Sequence, residues 1–251
     1  MPPRYGNLNT SDWAKAAATI NGYKTEPWLL KGAQILSINI EIDDDPADAL
    51  LPKTMHPSIP AYGIFNVTNY PESPFGAFAI AEVRVSGRTG VRPRGFVLRS
   101  YCNNEDACRE MASRWGYPTA QADVKLDIRH DRVVGRVNAG GRPILECELI
   151  DRDVIAGNDI QYIASMHMAR NKEDGKLVLV QVDPDFTFSK AERGKPRINL
   201  LDNDAFRAGN NLRLGNPISA TFTTADVTLP KIRYICDPEL PAMQGTTKVA
   251  A

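Results

Sequence analysis

The sequence predicts a β-rich α+β fold, in which antiparallel strands close into a barrel or cone and helices are few. Three observations predict it. Segments that alternate apolar and polar residues recur along the chain, and that alternation marks half-buried strands. Several are joined by short hairpin-like connections, HD at 130–131 and NAGGR at 138–142, as expected of an antiparallel meander. Strands and helices do not alternate, which argues against a doubly wound parallel sheet.

The elements follow in order. Residues 1–27 are polar and read as a packed N-terminal arm, with a short helix at Trp13 to Ile20, ahead of a single domain over 28–237. In QILSINIEI, Ile35, Ser37, Asn39 and Glu41 share one face, and Leu36, Ile38, Ile40 and Ile42 share the other. Asp43 to Asp45 and Pro46 open a short helix that Pro52 stops. Ala61 to Tyr70 is the next strand. A kink at Pro74 and Gly76 then leads into a long strand with Phe78, Ile80, Glu82 and Arg84 on one face. Ala77, Ala79, Ala81, Val83 and Val85 form its other face. Gly95 to Cys102 sets Phe96, Leu98 and Ser100 against Val97, Arg99 and Tyr101.

One helix is well specified. Asn104 is a good N-cap, and Glu105 and Asp106 place negative charge in the first turn, where the helix dipole favours it. Ala107, Cys108, Met111 and Ala112 form its apolar stripe, and Gly116 and Pro118 end it. Beyond it, Ala122 to Ile128, Val133 to Val137 and Pro143 to Leu149 read as the meander. Ile160 to Met168, Leu177 to Val182, Thr187 to Lys190 and Ile218 to Leu229 continue in strands. Residues 199–217 are rich in Asn, Gly and Asp and read as a long loop, and 238–251 as a disordered tail.

Composition excludes several classes. Lys plus Arg equals Asp plus Glu at 30 each, so no bulk charge points to nucleic acid or an anionic membrane. No apolar run approaches the roughly 20 residues that span a bilayer, and the N-terminus lacks the apolar core of a signal peptide. A cytoplasmic protein is the simplest expectation. Cys102, Cys108, Cys147 and Cys236 form no CxxC pair and read as reduced core residues. His56, His130 and His167 have no metal-ligand spacing, so no metal is expected. Without a GxSxG, a P-loop or a GxGxxG between strand and helix, serine hydrolases, P-loop NTPases and Rossmann dehydrogenases find no support, and no cofactor is expected.

The segment around the well-specified helix carries a resemblance. An Arg-Glu pair, Arg109 and Glu110, followed by Trp115-Gly116-Tyr117-Pro118, resembles the segment of the acetoacetate decarboxylase family that bears its reactive lysine. There the residue after the proline forms a Schiff base with a β-keto acid; here it is Thr119. The Pro-x-Gly-x-aromatic kink at Pro74, Gly76 and Phe78 resembles a second family motif, whose following strand carries a carboxylate. The matching position is Ile80, and Glu82 lies two residues on, on the same face. Asp226-x-x-Leu229-Pro230 before a last strand is similar to the family's closing pair. The resemblance covers about residues 28 to 237. It implies a closed β structure with an interior active site and, by the family's habit, a homo-oligomer.

Threonine cannot form an imine, so a family decarboxylation through Thr119 is rejected. Lys125 lies on a solvent-type face and Lys31 in a loop, and neither is a good substitute amine. The candidate catalytic groups are Glu82 as general acid or base, Arg99 as a bidentate partner for a substrate carboxylate, and Tyr117 as a hydrogen-bond donor to an enolate. Arg99, Thr119, Ile80 and Phe78 are the candidate substrate-binding residues. The expected function is a lyase-type enzyme acting on a small keto, enol or unsaturated carboxylic acid without a Schiff base. The alternatives are an isomerase, hydratase or cyclase, or a non-catalytic protein that binds a small hydrophobic acid in the same cavity.

Overall fold

The computed structural model describes residues 4–250. Its first half runs α1 (Thr10–Ala14), β1 (Ala18–Ile20), β2 (Trp28–Ile42), α2 (Asp44–Asp48), β3 (His56–Pro57), β4 (Tyr62–Tyr70), β5 (Phe78–Thr89), β6 (Arg92–Cys102), α3 (Glu105–Trp115) and β7 (Thr119–Gln121). The meander follows as β8 (Asp123–Ile128), β9 (Arg132–Ala139) and β10 (Arg142–Val154). The chain then continues through β11 (Ala164–Asn171), β12 (Leu177–Val182), β13 (Asp185–Leu201), β14 (Leu214–Leu229), β15 (Tyr234–Cys236), α4 (Ala242–Gly245) and β16 (Thr246–Lys248).

Among the described residues all sixteen strands join one sheet, ordered β16-β15-β12-β11-β6-β5-β4-β2-β14-β13-β10-β9-β8, with β1, β3 and β7 at its sides. The expected closed barrel is not formed by hydrogen bonds. The ladder is open, ending at β8 and β16, and the sheet instead curls so that β8 and β9 pack face-on across β2, β4 and β5. Gly135 of β9 makes that approach possible: a Cβ there would lie 2.6 Å from Cγ2 of Val67 on β4. Exposed Asp123 and Lys125, paired at 2.9 Å, lie along the terminal strand β8; charge on a free edge discourages further strand pairing. Nor is the sheet wholly antiparallel, because β6 pairs in parallel with both β11 and β7.

The curl divides the apolar interior in two. The larger core lies inside it, where Leu36, Ile38, Phe65, Val67, Ala81, Val83 and Leu98 meet Val124, Val133 and Cys147. The smaller core lies on the opposite face of the central strands, under α3, and contains Ile35, Tyr70, Phe78, Ile80, Cys102, Met111 and Trp115. The alternation of β2 and β5 assigns these faces as the sequence suggested. All four cysteines are free and buried.

Helix α3 matches its expected start and stop. Asn104 Oδ1 accepts from the Ala107 amide at 3.0 Å, and Gly116 ends the helix at φ 70°, ψ 22°. That left-handed backbone favours glycine. Several expectations differ. The short helix near Trp13 covers only Thr10–Ala14, and Ala18–Ile20 pairs as a strand with β11. The strand expected at Thr187 to Lys190 is the seventeen-residue β13, and the expected long loop shortens to the segment between Leu201 and Leu214. Residues after Pro238 form α4 and β16, which pairs with β15. No helix among the described residues is long and apolar enough to cross a membrane.

Candidate active site

The strands β14, β2, β4, β5 and β6, with β7 beyond, carry a row of directly opposed polar residues across the face on which α3 packs at the β6–β7 end. Thr221 faces Ser37, Ser37 faces Asn66, Asn66 faces Glu82, Glu82 faces Ser100, and Ser100 faces Thr119. Such a row is unusual on a covered sheet face, because each polar group there must find a partner or a cavity. Here two adjoining chambers lie along it. The outer one, about 270 Å³, has Ser37, Asn39, Asn66, Arg84, Gln161 and Thr221 among its walls. The inner one, about 40 Å³, is walled by Ile35, Tyr70, Ile80, Phe186 and Leu229, with Glu82, Arg84 and Tyr117 supplying its charge and hydroxyl. Asn66, Arg84, Tyr162 and Ile163 line both and mark the junction. No lysine lines either chamber.

At the junction lies a buried ion pair. Arg84 Nε donates to Glu82 Oε2 at 2.7 Å, and Nη2 of the same guanidinium donates to the same oxygen. Glu82 is 4 % exposed. Burial opposes the Arg84 charge, but Glu82 outweighs it and holds the guanidinium pKa above its usual value. With both bonds on Oε2, Oε1 is the carboxylate oxygen left to face a ligand. The outer edge of the guanidinium reaches only the Ile163 carbonyl, from Nη1 at 3.5 Å.

Tyr117 enters from the turn after α3. Burial, reinforced by the negative charge of Glu82, keeps its phenol pKa well above the ordinary value, so it is present as an O–H donor. Its ring lies 4.0 Å from that of His167. Nδ1 of His167 lies 2.8 Å from the Trp115 carbonyl, which accepts and therefore requires Nδ1–H. Nε2 is then a bare acceptor, buried with no partner. Burial, together with nearby Arg84, lowers the His167 pKa to about 3, against the opposing pull of the Trp115 carbonyl. Tyr162 closes the cavity from the far side, its hydroxyl 3.0 Å from Thr223 Oγ1.

A family model for acetoacetate decarboxylase matches residues 9–238. The chain belongs to the acetoacetate decarboxylase family. Solved structures agree on the fold. An acetoacetate decarboxylase from Legionella pneumophila superposes with a TM-score of 0.72 at 21 % identity, over 85 % of this chain and 88 % of that one. A second acetoacetate decarboxylase gives 0.70 at 18 % identity, over 83 % and 89 %. The enduracididine biosynthesis enzyme MppR gives 0.69 at 16 % identity, over 86 % and 89 %. A search of curated proteins found no match.

Within this family member the sequence-derived candidates separate. Glu82, Ile80 and Tyr117 meet at the inner chamber. Phe78 does not line it; it packs beside Tyr70 in the smaller core, ring centroids 4.8 Å apart. Thr119, placed by resemblance where the family has its lysine, lies in neither chamber wall, and its hydroxyl donates to the Cys108 carbonyl at 3.1 Å. Arg99 is on the other face of the sheet. The pairing steps from Val83↔Arg99 to Arg84↔Val97, so Leu98 is an extra residue that breaks the alternation. Arg99 pairs directly with Val83, one residue from Ser100 opposite Glu82, and so takes the Val83 face; it lies 5.8 Å from the Tyr101 ring, away from Glu82. Lys125 is exposed and paired with Asp123. Sequence reasoning did not select Arg84, Asn66, Ser37, Asn39 or Tyr162. For Arg84, Ser37 and Asn39 the signal was present, since each alternates in step with Ile80 or Ile35.

Proposed function

We propose that this chain is a lyase-type enzyme that acts on a small keto, enol or unsaturated carboxylic acid by acid–base chemistry, without a Schiff base. The observation that carries the reading is the buried Glu82–Arg84 pair at the junction of two chambers that no lysine lines. The free edge of Arg84 suits a substrate carboxylate. For a keto acid so held, Glu82 Oε1 takes a proton from the carbon beside the ketone. The C–H electron pair becomes the new C=C bond, the carbonyl π pair moves onto oxygen, and the Tyr117 O–H donates a hydrogen bond to that enolate. Return of the proton to a different carbon, or loss of a β-substituent, completes an isomerisation or an elimination. The family membership supports this class of chemistry, and MppR, whose fold is similar, has been solved with pyruvate.

The second reading is a protein that binds such an acid without turning it over. It draws on the tight Arg84 contact, which already occupies one oxygen of Glu82. The test is a panel of keto, enol and unsaturated acids followed by product analysis, with and without borohydride. Turnover with no borohydride-trapped adduct, and a fall of about a hundredfold or more in kcat for Glu82→Gln, is the expected result. A trapped imine, or full activity in Glu82→Gln, overturns the enzyme reading as stated. Saturable binding with no turnover across the panel selects the second.

A further inference from the structure

The two chambers differ in size and in chemistry, and the difference bears on the substrate. This inference rests on the reading above and narrows it. The inner chamber, about 40 Å³, has room for roughly one water-sized group, a water's share of liquid volume being about 30 Å³. Apart from Asn66, Thr68, Tyr70 and Tyr162 its remaining walls are apolar, and the reacting carbons fill it, leaving no room for further length of the acid. The bulk of any larger acid must extend past Arg84 into the outer chamber, about 270 Å³, or about nine water volumes.

That outer chamber is not built for a hydrocarbon. Its floor is the far end of the polar row, Asn66, Ser37 and Thr221, with Asn39 and Ser219 one pair along. Asn66 Oδ1 is buried with no hydrogen-bond partner. Asn39 uses Nδ2 on Ser219 Oγ at 2.9 Å, which leaves its carbonyl oxygen to accept. An alkyl tail laid over these groups would strip their water and give nothing back, a loss of about fivefold in affinity for each group left unpaired. Asp159 at the wall disfavours a second carboxylate in the tail.

We propose that the substrate is a hydroxylated oxo monocarboxylic acid. Its carboxylate lies against Arg84, its reacting carbons between Glu82 and Tyr117, and its hydroxyl-bearing tail across Asn66, Ser37 and Thr221.

The experiment compares two six-carbon α-keto acids, ketocaproate and ketodeoxygluconate, by kcat/KM and by calorimetric affinity. It uses the full chain and the double variant Ser37→Ala with Thr221→Val, whose unchanged thermal midpoint confirms folding. The hydroxylated acid is expected to be favoured by about tenfold or more, two hydrogen bonds' worth. In the double variant the ratio is expected to fall severalfold, through a higher KM for ketodeoxygluconate, with Asn66 keeping the remainder. Equal handling of the two acids by the unaltered chain, or preference for ketocaproate, overturns the tail assignment while leaving the acid–base reading standing. Tighter binding of ketodeoxygluconate without turnover of either acid keeps the tail assignment and removes the enzyme. Binding of neither overturns both.

Discussion

His167 ties the stability of this fold to acid in a way that one substitution can isolate. The ring is fully buried, donates from Nδ1 to the Trp115 carbonyl and packs against the Tyr117 ring at a tilt of 52°. A proton added at Nε2 would place an imidazolium beside Arg84 with no carboxylate of its own. The folded pKa is lowered to about 3, against about 6.5 in an unfolded chain. The folded state therefore binds fewer protons than the unfolded state, and stability rises with pH between those two values, with the full contribution present above about 6.5. At pH 5 the unfolded chain gains about 1.5 pH units' worth of protonation free energy, or about 2 kcal/mol, that the folded chain forgoes. His167→Asn keeps a donor near the Nδ1 position and removes the titration. Urea unfolding of both proteins at pH 8 and pH 5, analysed with a common m-value, should show the native sequence losing about 2 kcal/mol more than the variant. The variant's absolute stability is immaterial; only the difference between the two pH dependences counts. Parallel pH dependences would refute the buried neutral imidazole.

Two further outcomes follow from the same region. Arg84→Met strands the Glu82 carboxylate in a buried site, and should destabilise by about 3–5 kcal/mol in urea unfolding, whereas Glu82→Leu combined with Arg84→Met should recover most of that loss. Equal losses for the single and double variants would mean that the pair is not electrostatically coupled. Gly116→Ala imposes a side chain on a residue at φ 70° and drives its Cβ to 2.6 Å from that of Ala169. A loss of about 1–3 kcal/mol is expected from thermal or urea midpoints, and an unchanged midpoint would show that the turn carrying Tyr117 can relax.

What could be read from the sequence was local. Helix α3 is specified within its own residues, by Asn104 at one end and Gly116 at the other, and needs no distant partner to be recognised. The Ile80–Glu82–Arg84 face was legible for the same reason, since strand alternation fixes it without reference to the rest of the sheet. The failures are non-local. Ser37 and Asn39 read as the wet side of a half-buried strand, because a polar cavity wall and a solvent face have the same pattern; only the segment around Tyr162 folding over them makes the difference. Arg99 was selected because the resemblance puts its strand along the family's cavity; which face it takes is set by its pairing with Val83 of β5, which no single strand announces. The length of β13 was hidden because its residues are mostly half-buried or exposed, leaving little apolar period to detect. Closure failed for a related reason: whether the first and last strands of a curled sheet meet is decided by every twist between them.

The opposed residues from Thr221 to Thr119 also make the cavity a matter of parity. Inserting one residue into β4 upstream of Asn66 would turn every later side chain of that strand over, sending an amide into the greasy interior and a valine or phenylalanine into the chamber. Inserting two would leave the facing intact and merely slide the row along. Divergence of this scaffold should therefore accumulate length changes of its inner strands in even steps, with odd ones confined to bulges such as that at Leu98.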